Sequence, residues 1–226
     1  MSIAAEYNER VSVPFPGDPE FAVSVPEGSN NLYNAIYTHR ATSGTPLTIG
    51  GVSKGAPSAV DVLYRLVEDA ENPVDGVTAP SRHQKNVAIY GAPGKVFFIG
   101  TKCQPIPETP YDILIVVAEY DGIADFQDNP FNLFAIHNAV RGAELLHVDA
   151  AFYDVANNPV HYRTDTNSLG GTTTVIVPAA RLPLLKDIYE SDVFDPKFTA
   201  SSRRCCAPSS TVPSNGTGHP SAILEI

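Results

Sequence analysis

Basic residues are in short supply in this chain. Lys and Arg number 15 against 25 Asp and Glu, a formal net charge of −10 over 226 residues. A general nucleic-acid binder needs a basic surface to neutralise phosphates, so this balance argues against nucleic acid as a partner. It does not choose a substrate. Cysteine is scarce as well: Cys103, Cys205 and Cys206 are too few and too badly placed for a disulfide framework. Adjacent cysteines such as the last two seldom bridge without strain. No zinc-type spacing is visible. No apolar run reaches bilayer length, so no transmembrane segment is expected. Residues 1–10, with Glu6, Asn8, Glu9 and Arg10, contain no apolar signal core, and nothing in the chain directs export by the usual route. There is no internal repeat.

What remains reads as a folded globular chain. Hydrophobic residues make up 43% and charged residues 18%, well away from the composition of a disordered protein. At Thr199 the composition shifts abruptly to Ser, Pro, Gly and Thr with paired Arg and Cys. The expected organisation is one domain over 1–198 and a low-complexity, disordered tail over 199–226, too poor in apolar residues to offset its ordering entropy.

Within 1–198, strand-like and helix-like segments alternate. Strands are expected at 10–15, 46–50, 86–90, 112–119 and 172–177; helices are expected at 30–40, 58–70 and 132–140. The stretch Asp-Ile-Leu-Ile-Val-Val-Ala-Glu at 112–119 is the strongest strand signal. This alternation predicts an α/β fold around a mainly parallel sheet.

One motif carries chemistry. Gly51-Val52-Ser53-Lys54-Gly55 is a Gly-x-Ser-x-Gly pattern with a short apolar strand before it and an amphipathic helix after it. That context is what a nucleophile elbow requires. Side chains at the two glycines would collide with neighbouring strand and helix, and the tight turn lifts the Ser53 hydroxyl above the strand end. The competing reading is a glycine-rich strand-to-helix loop carrying a serine for no chemical reason.

A serine nucleophile needs a base and an acid later in the chain. Two carboxylates follow the strong strand, Asp121 and Asp125. We favour Asp125, because Gly122-Ile123-Ala124-Asp125 lets the chain turn and aim the carboxylate back; Asp121 competes as the alternative acid. Either could instead be a turn aspartate bonded to its own backbone. Three histidines follow and lie ahead of the tail. His137 falls in a helical stretch and His161 in an extended one. His147, at the end of an apolar stretch and the start of a loop, is the expected base.

At Tyr120-Asp121-Gly122-Ile123-Ala124-Asp125-Phe126, and again at Leu146-His147-Val148-Asp149, the chain resembles the PE-PPE domain, a mycobacterial serine-hydrolase family with a cutinase-like α/β-hydrolase fold. The resemblance continues through residues 172–178 and 182–185 and covers about 10–190. It implies a three-layer sandwich and an esterase or lipase acting on acyl-ester or lipid substrates, with a Ser53, Asp125 (or Asp121), His147 triad and no metal or cofactor. The backbone N–H of Lys54 would then serve the oxyanion hole. Three departures stand out. Lys54 occupies a position where glutamine is expected. The helical PE or PPE segment that normally precedes the domain is not expected from residues 1–10. The family's first strand, whose following loop supplies a second oxyanion donor, has no obvious counterpart, since residues 11–16 read as the second. A hydrolase fold kept as a structural or binding module is therefore the competing expectation. Such a module would suit a cell envelope or a phage virion, where it would have an assembly partner.

Overall fold

A computed structural model describes residues 9–186, apart from 44, 75–77, 95–102, 127, 130, 156, 159 and 167, together with 222–225. The elements, in chain order, are β1 (Glu9–Ser12), α1 (Phe21–Thr42), β2 (Leu47–Val52), α2 (Gly55–Glu71), β3 (Lys85–Tyr90), β4 (Asp112–Ala118), α3 (Leu133–Leu145), β5 (His161–Thr166), β6 (Gly171–Val177) and β7 (Ala222–Glu225). The strands form one sheet in the order β1-β7-β2-β3-β4-β6-β5. All pairings are parallel except that of β5 with β6.

Side-chain alternation along the strands divides the core in two. Leu47 and Ile49 of β2, Val87 and Ile89 of β3 and Ile113 of β4 point to one face, where they pack against Leu32, Ile36, Leu63 and other buried residues of α1 and α2. Val116, Val175 and Val177 form a separate cluster, and Ala118 packs with Leu146 and Ala150 beyond α3. Strands covered on both faces read as near-continuous apolar runs, which is why 112–119 stands out in the sequence. The result is the expected three-layer α/β fold with a mainly parallel sheet.

The two helices on the first face are joined by a polar clasp. Tyr33 and Tyr37 of α1 both donate to the Asp69 carboxylate of α2, Tyr33 at 2.8 Å. Burial first, and the bond to Asp69 second, raise both phenols above the ordinary tyrosine pKa.

Two elements differ from expectation. Helix α1 starts at Phe21, nine residues before the predicted 30–40 segment, and takes Pro26 into its interior. A proline six residues into a helix has no N–H to give up in a local pattern and reads as a boundary. Here the first turns are held by other means: Ser24 Oγ donates to the Glu20 carbonyl at 2.9 Å, and Ser58 Oγ of α2 donates to the Val25 carbonyl at 2.9 Å. The second difference lies in the expected tail. Ala222–Glu225 is a strand seated between β1 and β2, with Glu9 to Ser12 on one side and Leu47 to Gly50 on the other. The disordered-tail reading therefore does not hold for these four residues. Their backbone gains sheet partners on both edges, a long-range pairing that composition cannot reveal. The rest of that expected tail lies outside the described residues.

Lys85 opens β3 at the end of the sheet opposite the Ser53 elbow. It is 1% exposed, and its Nζ has no hydrogen-bond partner among the described residues. Its Nζ lies 4.8 Å from the centre of the Tyr111 ring. Burial alone holds its pKa well below the ordinary lysine value.

Candidate active site

The site is built from three chain reversals, two at the C-terminal ends of parallel strands and one at the end of a helix. The first joins β2 to α2 with only Ser53 and Lys54 between them. Ser53 adopts φ +52°, a left-handed conformation that costs a non-glycine residue free energy. Its backbone offsets part of this: the Ser53 N–H donates to the Tyr90 carbonyl at 2.9 Å, and the Ser53 carbonyl accepts from the Ala56 N–H at 3.1 Å. Gly51 is required here, because a Cβ at that position would lie 2.3 Å from the Gly55 carbonyl oxygen.

The second reversal follows β4. From residue types alone the turn falls at Gly122, which favours Asp125. In the structure the chain turns two residues earlier, at Tyr120, which takes φ +65°. The Asp121 N–H closes that turn on the Ala118 carbonyl at 3.1 Å. The Asp121 side chain is wholly buried, whereas Asp125 is exposed and only its backbone N–H reaches back, to the Asp121 carbonyl at 2.7 Å. The carboxylate that the structure brings to His147 is that of Asp121, not of Asp125. Nothing in a tyrosine marks a left-handed residue, so the signal is absent from the sequence.

The third reversal follows α3. The Leu146 N–H bonds the Gly142 carbonyl at 2.8 Å and ends the helix, and the next residue is His147. The imidazole is 5% exposed. Its Nδ1 lies 2.7 Å from Asp121 Oδ2 and its Nε2 lies 2.7 Å from Ser53 Oγ. An ionised carboxylate can only accept, so Nδ1 carries the proton and Nε2 is left to accept from the serine hydroxyl. Asp121 is itself fixed, because its other oxygen accepts from the Ile123 N–H at 2.9 Å. Gly91 makes room for the ring: it has φ +56°, and a Cβ there would lie 2.8 Å from His147 Cε1. His137 and His161 are exposed, on α3 and β5 respectively.

Lys54 immediately follows Ser53 and caps the N-terminus of α2 in helical geometry, φ −65°. Its side chain has a job the sequence does not disclose. Nζ donates to the Asp18 carbonyl and sits 4.8 Å from the centre of the Phe21 ring, tying the elbow to the loop that enters α1. A residue with a long cationic side chain can span that gap, which rationalises lysine at this position.

Among the described residues no group of His, Cys, Asp and Glu could hold a metal ion, and no helix is long and apolar enough to cross a membrane.

Comparison with known proteins bears on this geometry. Diacyltrehalose acyltransferase Chp2 of Mycobacterium tuberculosis is 33% identical over 185 residues, covering 72% of this chain and 48% of that protein. SL1278 acyltransferase Chp1 of the same organism is 34% identical over 179 residues, covering 76% of this chain and 43% of that protein. Esterase PE16, also from M. tuberculosis, is 28% identical over 198 residues, covering 77% of this chain and 35% of that protein. The chain thus spans about half or less of the length of these relatives. No solved structure matches it significantly. The PE-PPE domain matches residues 6–199, a stretch that contains the Ser53 elbow, the Asp121 turn and His147 together with six of the seven strands. On that match the chain belongs to the PE-PPE domain family.

Proposed function

We propose that this chain is a serine-dependent enzyme acting on acyl esters, with Ser53 as nucleophile, His147 as general base and acid, and Asp121 as the group that orients and charges the imidazole. The observation that carries this reading is the continuous hydrogen-bonded line from Asp121 through His147 to Ser53, 2.7 Å at each step. Ser53 Oγ adds to the ester carbonyl while His147 Nε2 takes its proton. The tetrahedral oxyanion forms beside the N-terminus of α2, where the Lys54 N–H is the natural donor and the helix dipole favours negative charge. Collapse breaks the ester C–O bond, and His147 returns the proton to the departing alcohol. The acyl-enzyme is then cleared by a second hydroxyl, activated by His147 in the same way. If that hydroxyl is water the net reaction is hydrolysis; if it is an alcohol the reaction is acyl transfer. The named relatives include both an esterase and acyltransferases, so both acceptors belong in the test.

The substrate class is acyl esters with an apolar acyl group. Val148, which directly follows His147, is 52% exposed, and Phe152, five residues after His147, is 79% exposed. Apolar side chains left in solvent beside a candidate site are suited to a lipid-like ligand. The experiment is turnover of a p-nitrophenyl ester series, with and without a long-chain alcohol, by the wild type and by Ser53→Ala. The expected result is nitrophenol release by the wild type, a new alkyl ester when alcohol is present, and neither from the variant. Equal turnover by Ser53→Ala would remove the serine from the reaction.

A further inference from the structure

The acid and the base reach each other from different parts of the chain, and a bare helix surface sets the distance between them. We propose that Gly142 of α3 is a positioning residue: its lack of a side chain seats the helix that delivers His147 directly on the Tyr120–Asp121 turn. This inference rests on the triad reading above.

A Cβ on Gly142 would lie 1.8 Å from the Tyr120 carbonyl oxygen and 3.5 Å from the Asp121 nitrogen. One helical turn earlier the same face touches the turn again. A Cβ on Gly122 would lie 2.3 Å from the Ala139 carbonyl oxygen and 3.3 Å from the Ala139 Cβ. Asp121 is therefore bracketed: the residue before it lies against Gly142 and the residue after it lies against Ala139. Both α3 residues are buried. These are backbone contacts, so no flexible side chain can swing aside to absorb an added methyl. Gly142 also accepts the bond from Leu146 N–H that ends the helix, one residue before His147. The contact that fixes the acid turn and the bond that launches the base thus share one residue.

The consequence is geometric. Ordinary contact for a Cβ begins near 3.4 Å, so alanine at 142 must open the gap between α3 and the Tyr120 carbonyl by more than an ångström. His147 moves out with the helix end while Asp121 stays with β4. The 2.7 Å Nδ1 to Oδ2 contact then leaves hydrogen-bond range. A misplacement of this size in a reacting group costs about a hundredfold in rate.

Four proteins test this: wild type, Gly142→Ala, the double variant Gly142→Ala with Asp121→Glu, and Gly170→Ala. Gly170 is also crowded by backbone, since an added Cβ would lie 2.5 and 2.7 Å from the Thr109 and Tyr111 carbonyl oxygens, but it precedes β6 at the far end of the sheet. Each protein is assayed for kcat and KM on a soluble p-nitrophenyl ester, for its melting temperature, and for the low-field proton NMR signal of a carboxylate-bonded imidazole N–H. Gly142→Ala should lose about a hundredfold in kcat with KM nearly unchanged, and lose the low-field signal. Gly170→Ala should melt lower yet keep kcat and the signal. Glutamate at 121 reaches one methylene further, so the double variant should recover tenfold or more of the lost kcat, a rescue that a purely structural glycine would not give. If Gly142→Ala is not recovered folded, Gly122→Ala reads the same spacing from the other bracket and should show the same kcat and NMR losses. Wild-type kcat and an intact low-field signal in a folded Gly142→Ala or Gly122→Ala protein would overturn the positioning role, as would a double variant no better than the single one. Absence of turnover in the wild type would instead count against the enzymatic reading, while the NMR signal would still report the spacing.

Discussion

The choice between two carboxylates four residues apart can be settled by replacing each with asparagine. Asp121 is completely buried, with one oxygen on His147 Nδ1 and the other on the Ile123 N–H. Asparagine has the same shape but only one acceptor oxygen. If that oxygen stays on the Ile123 N–H, the amide NH2 faces Nδ1 and makes Nδ1 an acceptor. The proton then resides on Nε2 and points at the Ser53 hydroxyl, so the imidazole can no longer take the serine proton. If the amide flips, the Ile123 N–H loses its acceptor, which costs about 1–3 kcal/mol for a buried donor. The first arrangement costs less, so the folded variant should hold the wrong tautomer. The corresponding change in a serine protease lowers kcat by about 10⁴, and the same order is expected here. Asp125 is exposed and contributes only a backbone N–H to the turn, so Asp125→Asn should keep kcat within about twofold and stability within about 0.5 kcal/mol. The assay is kcat on a p-nitrophenyl ester with urea denaturation on the same samples. Loss of turnover in Asp125→Asn with Asp121→Asn unaffected would refute the reasoning.

Other perturbations probe the frame around the site. Lys85→Met should stabilise the fold by about 1–3 kcal/mol at pH 7, because it removes a buried, unpaired amine. The sign with pH follows from the lowered lysine pKa: below the unfolded value near 10.5 the unfolded chain binds a proton that the folded chain refuses. Wild-type stability therefore falls as pH drops from 10.5 to the folded pKa, by up to about 1.4 kcal/mol per pH unit, and the advantage of Lys85→Met should shrink as pH is raised. A variant less stable than wild type at pH 7, or a gap that widens with pH, would contradict this. Removing residues 222–226 should destabilise the fold by on the order of 3 kcal/mol, since β1 loses its described sheet partner and β2 one of its two. An unchanged melting temperature would mean that β7 adds nothing to the sheet.

Local pattern in the sequence carries the parts of the fold that local physics determines. The elbow is legible because glycine at 51 and 55 and a strand-to-helix switch are all written within a few residues. Strand β4 is legible because burial on both faces demands an unbroken apolar run. The histidine that the structure places beside Ser53 is the one the sequence favours, since His147 alone of the later histidines combines an apolar approach with a loop. That Asp121 and not Asp125 lies against His147 is hidden in the sequence because the reversal is at Tyr120, held left-handed by its surroundings and not by its residue type. The start of α1 is hidden by Pro26, and β7 by a composition that argues for disorder. In both of these elements a long-range contact outweighs the local signal: Ser58 on the Val25 carbonyl for α1, and pairing with both β1 and β2 for β7. Lys54 reads in the sequence as a departure from a pattern, whereas the structure gives its side chain a span to Asp18 and Phe21.

The most direct test of the central claim is labelling with a fluorophosphonate probe followed by peptide mapping. The probe phosphonylates a serine whose hydroxyl is deprotonated by a neighbouring base as it attacks, and it reacts slowly with ordinary surface serines. The line from Asp121 through His147 to Ser53 predicts rapid labelling confined to the peptide that contains Ser53, abolished by Ser53→Ala and by heat denaturation and slowed strongly by Asp121→Asn. Labelling of a different serine, or a native protein no more reactive than the denatured one, would contradict it.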